Sequence, residues 1–197
     1  MPAQDDGTTV RDSITNVILF TVFAMHHSVM ARPGAQRWLT RIVQPDLMRT
    51  VYVWIASLLF AALCLAWQRV GGGAWELTGA PALLLRMVQA AGLVVVATAV
   101  RRIRIGEMAG LTPPDPDEEL QRGGPYGVVR HPIYLGWVLI FCTEPHMTMD
   151  RLLFAVLSTV YLLVAVPFEE AGLLRQFGDA YRDYRRTVRW RMLPFVY

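Results

Sequence analysis

The chain of 197 residues is 54% hydrophobic and only 18% charged, with a formal net charge of +3. An average soluble domain is about 25% charged, and a soluble core of this length could not bury so much apolar surface. The composition therefore predicts an all-α integral membrane bundle, built as one domain over residues 1–197, and it argues against a soluble protein.

Five apolar runs along the chain are the candidate spans of this bundle. A transmembrane helix needs roughly 20 mostly apolar residues, and four of the runs approach that length. The fourth run is short, so it must be tilted, extended or partly embedded in protein. The predicted spans cover about 13–31, 51–68, 81–100, 132–146 and 151–168.

The arginines alternate between the two sides of the predicted bundle. All 19 basic residues are arginine, and they concentrate in segments 32–50 and 101–131 and in the tail after Glu170. The opposite loops, 69–80 and 143–151, carry one arginine each. The positive-inside rule then places the N-terminus outside and the C-terminus in the cytoplasm. The basic pI reflects this topology and gives no support to nucleic-acid binding.

The segment that follows the fifth span, 169–188, has the pattern of a basic amphipathic helix. Its apolar and aromatic residues recur at spacings of three and four, which puts them on one helical face. Two interpretations remain open: the helix lies on the inner leaflet, or its aromatic face closes over a site made by the span ends. The residues of that face are Leu173, Leu174, Phe177, Tyr181 and Tyr184.

The stretch GGPYGVVRHPIYLGW, residues 123–137, leads into the fourth span. Proline is favoured in the first turn of a helix, so the span is predicted to begin near Pro132. A helix N-terminus carries free N–H groups and partial positive charge, and Arg130 and His131 add to it. The segment is therefore either an anion site for a carboxylate or phosphate or an interfacial anchor, with Tyr134 in the aromatic belt.

Two adjacent carboxylates, Glu169 and Glu170, follow the fifth span at the same side of the membrane. Acidic residues at a membrane boundary usually have a cationic partner or a functional role. The first interpretation is pairing with Arg175 or Arg130, and the second is recognition of a cation. Together with the preceding anion site, the second interpretation suggests a zwitterionic ligand with an additional positive charge. S-adenosylmethionine, with a carboxylate, an ammonium and a sulfonium, meets that description. A phospholipid headgroup would also satisfy both ends with its phosphate and its ammonium.

The first span carries His26 and His27 near its inner end, and intramembrane histidines are functional candidates. The chain has only four histidines in all, so a metal or haem site has few ligands to draw on and none is expected. The two cysteines, Cys64 and Cys142, lie in apolar runs, where thiols pack as small hydrophobic groups.

The motifs also carry a family resemblance over residues 123–186. GPYGVVRHPIYLGW, a span, and then EEAGLLRQFGDAYRDYRR resemble the membrane methyltransferase superfamily of isoprenylcysteine carboxyl, phospholipid and methanethiol methyltransferases. The shared pattern is G-x-Y-x-x-x-R-H-P-x-Y-x-G, a span, and E-E with F-G-x-x-Y-x-x-Y. HHSVMARPGAQRW and EPHMTMDRLLFA are similar to the methanethiol S-methyltransferase and NnrU-like branch.

The resemblance implies an enzyme that uses S-adenosylmethionine in a cytoplasm-facing pocket of a bacterial inner-membrane protein. It places cofactor-binding roles on Tyr126, Arg130, His131, Tyr134, Gly136, Glu169, Glu170, Tyr181 and Tyr184. The tail departs from the family pattern, because Thr187 stands where a basic residue is usual and Val188-Arg189 replaces Val-Pro. Arg185, Arg186 or Arg189 is then the substitute for the catalytic arginine of the tail. For a thiol acceptor, His26 or a tail arginine would lower the pKa of the thiol, so the candidate catalytic residues are His26, Arg130, Arg185 and Arg186.

The acceptor implied by the branch is a small thiol or a lipophilic molecule entering from the membrane. Isoprenylcysteine and a phospholipid amine are the enzymatic alternatives. The remaining alternative is not an enzyme: it is an NnrU-like membrane protein that retains the fold. Binding of S-adenosylhomocysteine distinguishes the enzyme from the non-enzymatic protein.

Overall fold

The computed structural model describes residues 6–30, 32–41, 43–44, 47–109, 111–112 and 119–197. Almost all of the regular structure is helical. The chain divides into two compact units, one of residues 1–71 with 104–117 and the other of residues 72–103 with 118–197. The elements are α1 (Asp6–Met30), α2 (Pro33–Leu39), α3 (Met48–Ala66), β1 (Gly73–Glu76), α4 (Gly79–Val100), α5 (Ile105–Met108), a 3-10 turn (Gly124–Gly127), α6 (Pro132–Cys142), β2 (His146–Thr148), α7 (Met149–Phe177) and α8 (Asp179–Thr187).

Four helices in the described part of the chain are long and apolar enough to cross a membrane: α1 from Gly7 onward, α3, α4 and α7. The protein is therefore an all-helical integral membrane protein. The predicted fourth span, 132–146, corresponds to α6, which has only 11 residues. A helix of that length rises roughly 16 Å at 1.5 Å per residue, about half of a 30 Å hydrocarbon core.

In the first unit, α1 packs against α3. The fully buried Asn16 on α1 links the two helices by two hydrogen bonds to the backbone of Gln68, just beyond the end of α3. Its amide nitrogen donates to the Gln68 carbonyl at 2.9 Å, and its amide oxygen accepts from the Gln68 N–H at 2.8 Å. The two bonds satisfy the hydrogen-bonding groups of the buried Asn16 amide and of the Gln68 backbone. A polar group buried in an apolar bundle needs such partners.

In the second unit, α4 makes its main contact with α6, and α7 packs on α6. The two helices α4 and α6 approach closely because glycines lie at the crossing, Gly92 on α4 and Gly136 on α6. A Cβ built on Gly136 would lie 2.4 Å from Val96 Cγ2 and 2.8 Å from the Gly92 carbonyl oxygen. Small residues at such crossings let helix backbones meet in membrane bundles.

Shortly after the C-terminal end of α6 the chain forms β2, which pairs with β1 in a two-stranded antiparallel sheet. Glu144, in the turn, is anchored from two helices: Arg86 of α4 lies 3.2 Å from it and Arg151 of α7 lies 3.7 Å from it. The indole N–H of Trp75 in β1 donates to the Glu144 carbonyl at 2.9 Å. Pro145 disfavours a helical conformation at Glu144 and has no backbone N–H to continue the helix, so α6 ends at Cys142 and not near residue 146.

The tail differs from the predicted single helix over 169–188. Helix α7 continues past Pro167 as far as Phe177, and α8 begins only at Asp179. The break falls at Gly178, whose φ of +54° suits glycine best. The Gly178 N–H still caps α7 by donating to the Leu174 carbonyl at 3.0 Å. The glycine redirects the chain, so α8 packs Tyr181 and Tyr184 inward as a separate helix.

Candidate active site

A buried ion pair joins the entrance of α6 to the last turns of α7 in the second unit. Nε and Nη2 of Arg130 both lie 2.6 Å from Oε1 of Glu170. The two side chains are 5% and 4% exposed, so both charges are withdrawn from solvent. Arg130 Nη1 also donates to the carbonyls of Val188 and Arg189, each at 2.7 Å. Arg130 therefore ties α6, α7 and the tail together, and Glu170 is paired as the first interpretation of the two acids expects.

The backbone of the same segment fixes the tail in place. The N–H of Arg130 donates to the Trp190 carbonyl at 3.0 Å, and the N–H of His131 donates to the Arg191 carbonyl at 2.7 Å. Pro132 is the first residue of α6, as predicted, with His131 at the cap position. Because the residues before Pro132 are not helical, their N–H groups are free to form these bonds.

His131 lies between the two carboxylates. Its Nδ1 is 3.5 Å from Glu169 Oε2, and its Nε2 is 3.7 Å from Glu170 Oε1. Burial by itself lowers the pKa of His131, but the neighbouring carboxylates of Glu169 and Glu170 outweigh burial and raise it above the ordinary value. The two carboxylates therefore favour the protonated form of the imidazole.

Glu169 is the more accessible of the two carboxylates, with a side chain 43% exposed. The hydroxyl of Tyr134, one turn into α6, donates to Glu169 Oε1. The Tyr134 ring stacks on His131, with the ring centres 5.5 Å apart. The acid, the imidazole and the phenol thus form a continuous polar surface beside the buried Arg130–Glu170 pair.

Helix α8 contributes the two tyrosines predicted for the site. Tyr184 donates to the carbonyl of Tyr126 in the 3-10 turn at 2.6 Å. Tyr181 is fully buried, and burial, followed by the negative charge of Glu170, raises the pKa of Tyr181 to about 12. Its hydroxyl therefore stays protonated. The aromatic face of α8 packs inward against Leu173, Leu174 and Phe177 of α7.

Two buried polar atoms of this region have no hydrogen-bond partner among the described residues, His131 Nε2 and Tyr181 Oη. Buried polar atoms in proteins are nearly always hydrogen-bonded. Tyr181 keeps its proton, and the carboxylates favour the protonated form of His131, so both atoms can donate. The cluster therefore offers unsatisfied donors next to a half-exposed carboxylate.

Arg191 is a member of the cluster that the sequence patterns do not identify. Its Nε donates to Glu170 Oε2 at 3.2 Å, and its Nη1 donates to the Tyr197 hydroxyl at 3.0 Å. It follows α8 in a segment without regular structure, so no helical or strand period marks it. Only the folding back of the tail onto the α6 entrance brings it to Glu170.

Three sets of predicted residues lie outside this cluster. Gly136 is buried at the α4–α6 crossing, with its α-carbon facing α4. Arg186 is 80% exposed and pairs with Asp183 at 3.1 Å, and Arg185 is also exposed. His26 belongs to α1 of the first unit, where its ring stacks on Tyr52 at 6.2 Å.

The raised pKa of His131 predicts a pH-dependent contribution to stability. The protonated imidazole is paired in the folded protein, so its stabilisation is complete below about pH 6.5, the ordinary pKa, and is lost as pH rises through the raised pKa. We expect the difference in Tm between wild type and His131→Gln to shrink from about pH 6 to about pH 9. Thermal unfolding across that range measures it, and a gap that widens with pH contradicts it.

The chain is similar to several curated membrane methyltransferases. It is 40% identical to the methanethiol S-methyltransferase of Mycobacterium tuberculosis, over 89% of this chain and 75% of that protein. It is 37% and 34% identical to methanethiol S-methyltransferases 1 and 2 of Bradyrhizobium diazoefficiens, over 93% and 89% of this chain and 67% and 71% of those proteins. No family model matches the chain, and no solved structure matches it. The resemblance predicted from the RHP and EE motifs is confirmed: the chain belongs to the methanethiol S-methyltransferase family of membrane methyltransferases.

Proposed function

We propose that this protein transfers a methyl group from S-adenosylmethionine to a small thiol, with methanethiol as the reference acceptor. The names of the curated relatives support a small thiol and do not favour isoprenylcysteine, a phospholipid amine or a non-enzymatic role. The structural observation that carries the proposal is the cluster of Arg130, His131 and Glu170 with the accessible Glu169 at its edge.

The residues present suit a zwitterionic cofactor with an additional positive charge. The unpartnered His131 Nε2 and Tyr181 Oη can donate to a carboxylate or hydroxyl of the ligand. Glu169 offers a negative charge to an ammonium or sulfonium group. Glu170, by contrast, is occupied by Arg130 and Arg191, so its role is to hold the donors in place. Tyr126, Tyr134 and Tyr184 complete the proposed wall of the site.

S-adenosylmethionine supplies an electrophilic methyl group on its sulfonium, which a thiolate accepts as the sulfur–methyl bond of the cofactor breaks. The protein's residues contribute by orienting the cofactor and by excluding water, and these effects account for a large part of the rate in such displacements. In this proposal His131 holds the ligand as a donor, since the carboxylates of Glu169 and Glu170 favour its protonated form.

The acceptor thiol must lose its proton before the displacement, and we propose that His26 accepts it. His26 Nδ1 is buried and has no hydrogen-bond partner among the described residues. We expect His26→Ala to lower kcat/KM for methanethiol at neutral pH by about a hundredfold. The rate should recover at higher pH, where the thiol ionises by itself. The pH–rate profile measures this.

The matched control for that variant is His146→Ala, since His146 lies on β2 with a side chain 49% exposed. Its profile should overlay that of the wild type. If His26→Ala leaves the shape of the pH–rate profile unchanged, His26 is not the base. Arg185 and Arg186 would then be the next candidates, acting by lowering the pKa of the thiol.

We also propose that α6 serves as a fifth, short membrane segment, which places the N-terminus outside and the C-terminus in the cytoplasm. The arginine-rich segments support this orientation. The entrance of α6 and the end of α7 then face the cytoplasm of a bacterial inner membrane, where S-adenosylmethionine is available. A reporter active only in the cytoplasm, fused after Tyr197, tests the orientation.

The direct test of the proposed function is cofactor binding by the detergent-solubilised protein. S-adenosylhomocysteine should raise the Tm of the wild type, and labelled methyl groups should pass from S-adenosylmethionine to methanethiol. His131→Ala should abolish the Tm shift. If millimolar S-adenosylhomocysteine leaves the Tm of the wild type unchanged, the proposed function is wrong.

A further inference from the structure

The tail after α8 brings a second arginine to the buried carboxylate of Glu170. Arg191 donates from Nε to Glu170 Oε2 at 3.2 Å, and its guanidinium is itself held by Tyr197. The Tyr197 hydroxyl accepts from Arg191 Nη1 at 3.0 Å, and the Tyr197 ring lies under the guanidinium, 5.0 Å from Cζ to the ring centre. Tyr197 thus fixes the guanidinium by a hydrogen bond and by a cation–π contact.

The two oxygens of Glu170 have different partners. Oε1 accepts from both Nε and Nη2 of Arg130, while Oε2 accepts from Arg191. A carboxylate held through one oxygen is free to rotate about its last torsion, whereas contacts at both oxygens fix its plane. The plane matters because Oε1 also lies 3.7 Å from His131 Nε2, one of the two unpartnered donors.

We propose that Arg191, held by Tyr197, is a positioning residue of the methyltransferase site: it fixes the Glu170 carboxylate so that His131 is oriented toward the cofactor. This inference rests on the proposed function, since it assigns Arg191 a role in the cofactor-binding cluster. Arg191 itself touches neither cofactor nor acceptor in this proposal. Its effect passes through Glu170.

Arg130 and Arg191 differ in how far their side chains are exposed, and this difference indicates which of them supports the fold and which one only positions Glu170. The Arg130 side chain is 5% exposed, and it donates hydrogen bonds to the carbonyls of Val188 and Arg189 in the tail. Arg130 therefore supports the fold. The Arg191 side chain is 32% exposed, so its charge is partly solvated. Removing Arg191 leaves Glu170 paired with Arg130, and no buried charge is left uncompensated. The backbone bonds of the tail to Arg130 and His131 also remain.

The experiment compares Arg191→Gln, Arg191→Lys and Tyr197→Phe with the control Arg182→Gln. Arg182 is an exposed arginine of α8 that pairs with Asp179, so the control removes the same charge from the same tail. For each variant we measure the Kd of S-adenosylhomocysteine, kcat and KM for S-adenosylmethionine, and the Tm without ligand.

We expect Arg191→Gln to raise the Kd and KM at least about tenfold, as for the loss of a hydrogen bond to a charged group. Its Tm without ligand should stay near that of Arg182→Gln. Arg191→Lys should recover part of the affinity, because an ammonium restores the charge beside Oε2 without the planar fork. Tyr197→Phe should shift the Kd in the same direction by less. Arg182→Gln should bind as the wild type does.

Two results overturn the inference while leaving the proposed function intact. In the first, the wild type binds S-adenosylhomocysteine, and Arg191→Gln binds it as tightly as Arg182→Gln. In the second, Arg191→Gln lowers the Tm as much as loss of Glu170 does, and Arg191→Lys recovers neither Tm nor affinity, which shows a structural role. If the wild type itself does not bind S-adenosylhomocysteine, the proposed function fails, and this inference fails with it.

Discussion

Replacing Glu170 by glutamine is expected to impair both the stability and the cofactor binding of this protein. The substitution keeps the size of the side chain but removes the negative charge that faces Arg130 and Arg191. Breaking a buried ion pair from one side costs about 3–5 kcal/mol, because the remaining charge is left without compensation. The Arg130 side chain is only 5% exposed, so water cannot take over the role of the carboxylate.

The amide of the variant adds a second conflict. Only one of its two ends can accept hydrogen bonds, whereas Glu170 accepts at both oxygens, from Arg130 and from Arg191. We therefore expect a Tm lowered by roughly 10 °C and an affinity for S-adenosylhomocysteine weakened about a hundredfold, as for truncated buried charge pairs. Thermal unfolding and ligand titration in detergent measure the two effects.

The matched comparison is Glu169→Gln, the same change at the adjacent position. Glu169 is 43% exposed and is paired with Tyr134 and His131, not with a buried arginine. We expect this variant to lose affinity for the cofactor with little loss of Tm. If Glu170→Gln keeps the wild-type Tm, the buried pair does not stabilise the fold as argued here. If both variants bind S-adenosylhomocysteine as the wild type does, the acids are not part of the site.

Residues within local motifs were the ones that the sequence could identify. Pro132 begins α6, and Tyr184 packs inward with Tyr181, as the proline rule and the helical period predict. The sequence also allows the observed pairing, since Arg130 and Arg175 are the two arginines placed to neutralise the paired acids. The structure shows that only Glu170 is neutralised in this way, and that Glu169 remains accessible.

Features that depend on long-range contacts were not predictable from pattern. Arg191 lies in a segment with no helical or strand pattern in its sequence. It contacts Glu170 because the tail folds back and accepts backbone hydrogen bonds from Arg130 and His131. The ion pairs of Glu144 also have no local signal, because its partners Arg86 and Arg151 come from two other helices. The early end of α6, by contrast, has a local signal in Pro145, which disfavours a helical conformation at Glu144. The break at Gly178 left a local signal, a glycine in the tail, but a glycine also occurs at 172 within the continuous helix α7.

Replacing Gly136 by alanine is expected to destabilise the second unit by about 1–3 kcal/mol, as overpacking does in tight interiors. The new methyl group would lie 2.4 Å from Val96 Cγ2 and 2.8 Å from the carbonyl oxygen of Gly92. The carbonyl belongs to the backbone of α4, so relief requires the two helices to separate. Because Gly136 is about one turn from Pro132, that movement would also displace the entrance of α6 and weaken cofactor binding.

The control for this substitution is Gly172→Ala in α7. A Cβ there meets only Arg175 Nη2 at 3.9 Å, which is ordinary contact with a flexible side chain. Alanine has the higher helix propensity by up to about 1 kcal/mol, so we expect an unchanged or slightly higher Tm. A Gly136→Ala protein that unfolds at the wild-type Tm would show that α4 and α6 are not held this closely. The effect predicted for Gly136 would then have to come from contact with the cofactor, as the family resemblance implies, and would appear in the Kd alone.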